Sequence, residues 1–182
     1  MKDQFTSLAA TVADVNEETG TIEGVAVRYN VDIPRGPGMF ERVQPGAFTK
    51  QIADPARVSV LWQHDSDAPI GKVSALEDGA ESLRFTAKIS ENADIPEARK
   101  ALALLREGII DEISVGFQWG SWVEERSDDG DLTIAHTKAR LRELSVVTFG
   151  ALGREARVLT VAAEVTAANL DAYRARFGML NS

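Results

Sequence analysis

A single clear helical period, from about Ile95 to Glu107, is embedded in a chain whose other apolar residues mostly recur every second position. Ile95, Ala98, Leu102 and Leu105 form its buried stripe, Asp94 is the expected N-cap, Pro96 fits the first turn and Gly108 is the stop. Strands are predicted over Phe5–Val15 and Thr21–Val27, joined by the turn Asn16–Gly20, then over Arg57–Gln63, Pro69–Val73 and Ser82–Ile89. After the helix comes a strand from Asp111 to Glu125, with Ile113, Val115, Phe117 and Trp119 on one face and Ser114 and Gly116 on the other. The turn Arg126–Asp131 leads to a return strand carrying Leu132, Ile134 and His136, and Arg140–Thr148 is a further strand. Asp32–Gly38, with two prolines and two glycines, reads as a loop, and Pro45–Ile52 as a short helix with Phe48 and Ile52 on one side. A terminal helix is expected over Ala167–Phe177. The pattern is that of a mainly antiparallel β protein with α elements, an α+β chain.

At 182 residues, of which 44% are hydrophobic, the chain can bury one sizeable core. One domain over 1–163 with a helical arm over 164–182 is expected. The net charge of −8 argues against broad attraction to nucleic acid or to anionic membrane. With no cysteine, disulfides, thiolate zinc sites and cysteine nucleophiles drop out. No apolar run is long enough to span a bilayer and Met1–Gln4 lacks a signal-peptide pattern, so an intracellular protein is expected.

Three residue types point to chemistry. Ser114 lies beside Gly116 at the start of a strand, where another backbone can approach closely. Serine becomes a nucleophile only when a base takes its proton, and that base works best when a third group orients it. The chain has two histidines. His64 closes an apolar strand next to the acidic loop Asp65–Asp67; His136 lies in a polar hairpin arm, where a solvated imidazole is the expected state. Glu143 falls within a nearly continuous apolar stretch, on the parity of Leu141 and Val147, so its carboxylate needs a partner. Together, His64, Ser114 and Glu143 suggest a serine-protease site. The G-x-S-x-G elbow is absent, since Glu112 stands where its first glycine belongs. Two isolated histidines give no metal-ligand spacing, and Asp128–Asp131 reads as a solvated turn. Trp119 and Trp122 read as hairpin packing.

Four pieces, in order, resemble the prohead (capsid maturation) serine proteases of tailed bacteriophages, which are related in fold to the herpesvirus assemblin proteases. These are Pro45–Phe48; Val60–Asp65 with Pro69–Val73; Leu105–Phe117; and Leu141–Ala151. They cover roughly residues 20 to 160. The resemblance implies a small antiparallel β-barrel of herpesvirus-protease type with surrounding helices. It implies His64 as general base, Ser114 as nucleophile and Glu143 as the acidic third member, where herpesvirus enzymes carry a second histidine. Gly150, Ala151, Leu152 and Gly153 are then candidates for the oxyanion hole; many relatives read Asn-Pro after the alanine, where this chain has Leu152-Gly153. The implied role is cleavage of scaffolding protein, of the scaffolding segment of the major capsid protein, and of the chain itself, inside an immature prohead in the bacterial cytoplasm. No cofactor, metal, nucleic acid or membrane is implied, and a homo-oligomer is compatible. The competing expectation is a catalytically silent structural or scaffolding protein that keeps the fold.

Overall fold

The computed structural model of the chain describes residues 6–16 and 20–150. Nine strands and one α-helix follow in the order β1 (Thr6–Asn16), β2 (Thr21–Arg28), β3 (Ile33–Gly36), β4 (Met39–Val43), β5 (Ser59–Trp62), β6 (Asp65–Asp78), β7 (Ser82–Ile89), α1 (Pro96–Arg106), β8 (Glu112–Arg126) and β9 (Leu132–Val147). The expected terminal helix and the arm over 164–182 lie outside the described residues, as do Ala151, Leu152 and Gly153.

The sheet curls until its hydrogen-bonded pairs run in a ring: β1 with β2, β2 with β7, β7 with β6, β6 with β5, β5 with β9, β9 with β8, and β8 back to β1. Register shifts interrupt several ladders, as between Val25 and Val27, Val73 and Ala75, and Gly116 and Phe117. Such bulges bend and twist a strand, which is what a curled sheet needs. Gly71 marks one tight approach: a Cβ there would lie 2.1 Å from the carbonyl oxygen of Lys88 on β7. Two pairings are parallel, β5 with β9 and β4 with β9, so the sheet is not purely antiparallel.

The interior is lined by the inward residues of these strands, among them Ile22, Val60, Leu83, Ile113, Phe117 and Leu144, all fully buried. Burying a side chain of this kind stabilises by about 1.5–3 kcal/mol. The helix adds Ala98, Ala101, Leu102 and Leu105. Its N-cap is Ile95 rather than Asp94, with no side-chain capping bond. Pro96 explains the shift, because a residue before proline is pushed out of the helical region, and Ile95 has φ −114° and ψ 84°.

Other expectations change in the fold. Pro45–Ile52 is a run of turns, with Thr49 N–H donating to Gly46 O and Gln51 N–H to Phe48 O; Gly46 at φ +81° keeps it from being helical. The stretch read as a strand from Arg57 begins as a 3-10 turn, Pro55–Arg57, and becomes strand only at Ser59. Within Asp32–Gly38, Ile33–Gly36 forms the edge strand β3, where Pro34 is tolerated because its missing N–H costs little at an edge. The two expected strands after the 126–131 turn are one continuous strand, β9. Among the described residues α1 is the one α-helix, against the expected set of surrounding helices.

Candidate active site

The site is assembled on three adjacent strands, β5, β9 and β8. On β8, Ile113, Val115 and Phe117 face the core, which turns Ser114 and Gly116 to the opposite face. Ser114 is paired across the ladder with Ser145, and Gly116 with Glu143. On β9, Leu144 and Val146 point into the core, so Glu143 and Ser145 share the face of Ser114 and Gly116. The register shift at Gly116/Phe117 passes over Arg142 and pairs Leu141 with Phe117. Leu141 therefore rejoins the core although it shares sequence parity with Glu143; the expected parity is broken by the bulge.

β5 runs alongside β9, with Ser59 opposite Glu143, Leu61 opposite Ser145 and Trp62 opposite Val146. It then reverses into β6 around two residues, Gln63 and His64, closed by the pair Trp62–Asp65. Both turn residues have positive φ, 53° and 61°. That is the pattern of a type I′ hairpin turn, which favours Asn-Gly. With a side chain, each left-handed residue costs about 1–2 kcal/mol. The turn is tied to the end of β9: Gln63 N–H donates to Val146 O (2.9 Å), Gln63 Nε2 donates to Thr148 Oγ1 (2.8 Å), and Thr148 N–H donates to Gln63 Oε1 (3.2 Å).

This strained turn presents His64 to Glu143. His64 Nδ1 and Glu143 Oε1 are 2.7 Å apart, with side-chain exposures of 37% and 14%. When Nδ1–H donates to the carboxylate, the imidazole lone pair is on Nε2. The second carboxylate oxygen, Oε2, accepts from Ser145 Oγ. Gly116 makes room for Glu143: a Cβ there would lie 2.5 Å from Oε1 and 2.9 Å from Cγ. The structure thus joins His64 to Glu143 directly and places Ser114 on the same face, one strand across and two residues along from Gly116. Ser114 is fully buried.

His136 is elsewhere. It is 3% exposed, stacked on the Trp119 ring (3.1 Å between centroids, 18° between planes) and edge-on to Phe117. The Trp119 and Phe117 rings of β8 pack on it, and Glu41 of β4 lies beside it. The expectation of a solvated imidazole is overturned for that reason. Its Nε2 is 3.8 Å from Glu41 Oε1, and neither ring nitrogen has a hydrogen-bond partner. Burial pushes the Glu41 carboxyl up, but His136 and Arg35 outweigh it and hold the group below its ordinary value. Of the two hairpin tryptophans, Trp119 packs as expected, whereas Trp122 is exposed.

Gly150, the one described member of the oxyanion candidates, donates its backbone N–H to Glu112 Oε2. Among the described residues no three His, Cys, Asp or Glu side chains gather as a metal site, and none of the helices is long and apolar enough to cross a membrane. The acidic turn is held by its own backbone and by Ser127, whose Oγ accepts from Asp131 N–H (3.1 Å). Sequence reasoning missed Ser145, Gln63 and Glu112 as parts of the site. For Ser145 the signal was present: a hydroxyl two residues from Glu143 inside an apolar run.

A family model described as caudovirus prohead serine protease matches residues 7–179 of this chain. Among solved structures, the capsid assembly protease gp21 of bacteriophage T4 is similar with a TM-score of 0.55 and 12% identity, over 78% of this chain and 97% of that one. At that identity the likeness is one of fold. No curated protein matches the chain.

Proposed function

Since the chain belongs to the caudovirus prohead serine protease family, we propose that it is a capsid-maturation endopeptidase with Ser114 as nucleophile, His64 as general base and Glu143 as the carboxylate that orients the base. The observation that carries this reading is the 2.7 Å contact between His64 Nδ1 and Glu143 Oε1, made by a histidine held in a strained turn. Strain of this kind persists only where the surrounding structure enforces it, and it gathers at functional sites.

In the proposed reaction Ser114 Oγ attacks the scissile carbonyl carbon as its proton passes to His64 Nε2. Glu143 stabilises the imidazolium through Nδ1–H. The tetrahedral intermediate collapses when His64 returns that proton to the leaving amine nitrogen, which leaves a Ser114 acyl ester. Water, deprotonated by His64, then hydrolyses the ester and restores the hydroxyl. We assign the oxyanion to backbone amides of the residues that follow β9 in sequence, Gly150 to Gly153. The Gly150 amide is already donated to Glu112, so the later amides are the preferred donors. The substrates assigned are the scaffolding protein or the scaffolding segment of the major capsid protein, within the immature prohead, and this chain itself beyond about Glu164.

Two experiments test this. A fluorophosphonate should label the protein, and Ser114→Ala should abolish labelling; survival of the label in that variant removes Ser114 as nucleophile. Co-expression of wild type and Ser114→Ala with the cognate capsid and scaffolding proteins should give cleavage products by mass spectrometry only with wild type. Identical products from both would end the assignment of substrate.

A further inference from the structure

We propose that Ser145 is a positioning residue that holds the Glu143 carboxylate in place for His64, an inference that rests on reading Glu143 as the orienting carboxylate. Among the described residues the Glu143 side chain accepts two hydrogen bonds, one at each oxygen: Oε1 from His64 Nδ1 and Oε2 from Ser145 Oγ. The two residues are i and i+2 on β9, so both side chains leave the same face and the carboxylate folds back along its own strand to meet the hydroxyl.

The pairing answers a need on each side. Ser145 is fully buried, and a buried hydroxyl without a partner is costly. Glu143 is mostly buried, so the oxygens of its side chain also require hydrogen-bond partners. Gly116, directly across the ladder, offers no side chain to Glu143, only space. Ser145 also stands among Leu144, Val146 and Val147, where β-branched or aliphatic residues suit a strand better than serine does. Its hydroxyl explains its presence.

Ser145 is not a second nucleophile in this arrangement, although it faces Ser114 across the ladder. Its proton is given to a carboxylate, not to the imidazole that would have to receive it during attack. With Oε2 anchored, rotation about the last bond of Glu143 is fixed and Oε1 stays directed at Nδ1. Without that anchor the carboxylate is free to turn away, and the population of correctly oriented imidazole falls.

The test is a double-mutant cycle on the rate of fluorophosphonate labelling, with the full chain. Glu143→Ala should slow labelling on the order of 10²- to 10⁴-fold. Ser145→Ala should slow it about ten- to a hundredfold, the scale of one hydrogen bond to a charged group. In the Glu143→Ala background, Ser145→Ala should cause no further loss, because its effect passes through that carboxylate. A packing role would instead cost the same in both backgrounds. Ser145→Cys keeps the shape with a somewhat larger, weakly donating atom, so it should slow labelling as Ser145→Ala does and stands in if the alanine variant does not fold. Wild-type rates in Ser145→Cys, or an undiminished effect of Ser145→Ala without Glu143, would overturn the proposal while leaving the triad intact. Wild-type labelling by Glu143→Ala would overturn the triad reading itself, and this proposal with it.

Discussion

A methyl group at position 116 would occupy the space of the Glu143 carboxylate. Gly116→Ala is therefore expected to act as an indirect Glu143 variant: its labelling rate should fall toward that of Glu143→Gln, which loses on the order of 10²- to 10⁴-fold. His136→Ala should behave in the opposite way. Labelling should stay within about tenfold of wild type, while removal of a buried ring stacked on Trp119 costs on the order of 2 kcal/mol in urea unfolding. A dead His136→Ala with an active Glu143→Gln would exchange the two roles. Glu41 gives a pH signature. Its folded pKa lies below the ordinary value of 4.5, so it contributes stability that is present above its unfolded pKa and lost as pH falls through the folded one. The stability gap between wild type and Glu41→Gln should be open at pH 7 and close on acidification, read from urea midpoints; a gap constant with pH would contradict this. At this scale the sequence was most informative where residue type and setting conflicted. Glu143 in an apolar run and His64 at the end of an apolar strand each invited a partner. His136 was misread because the rings that pack on it, Trp119 and Phe117, are brought there by a ladder register that periodicity does not give. Ser145 was passed over because serine in a strand is commonplace until its neighbour's carboxylate is seen.

The element that places the proposed base, His64, is the two-residue turn between β5 and β6. Its left-handed backbone is a cost, and the Gln63 side chain offsets part of it by closing two bonds with Thr148. Gln63→Ala keeps the strained backbone and loses both bonds. It should destabilise by about 1–3 kcal/mol and slow labelling severalfold, because the turn that carries His64 then keeps only its backbone bond to Val146 at the end of β9. Unchanged stability and rate would show the clamp to be incidental. The alternating strands were legible where one face is buried: β2 and β7 follow period two closely, whereas Ile113 to Phe117 of β8 are buried on both faces. Bulges were not legible. The one at Gly116/Phe117 reverses the parity of Leu141 relative to Glu143, and only the ladder reveals which residue is set aside. Ends and turns were equally hidden, because Pro96 moved the helix cap and Gly46 converted an expected helix into turns.

Across the whole molecule, β9 is the common member: it pairs with β4, β5 and β8 and carries Glu143 and Ser145. The three proposed catalytic residues come from two strands and a turn distant in sequence, so the site exists only when the long-range ladders do. Loss of labelling and loss of circular dichroism should share one urea midpoint; labelling lost well before the sheet melts would mean that the β5–β6 turn opens independently. The ring of pairings could not have been read from periodicity, which gives strands but not neighbours, and the parallel β5–β9 contact that joins His64 to Glu143 is of that kind. A last consequence follows from the burial of Ser114, which has no exposed surface. Its observed reactivity toward any reagent is an intrinsic rate multiplied by the fraction of molecules in which a path to it is open. If Ser114 is the nucleophile as proposed, a fluorophosphonate reads that open fraction directly, and a polypeptide that binds the open form raises the rate at Ser114 without altering any of the proposed catalytic groups.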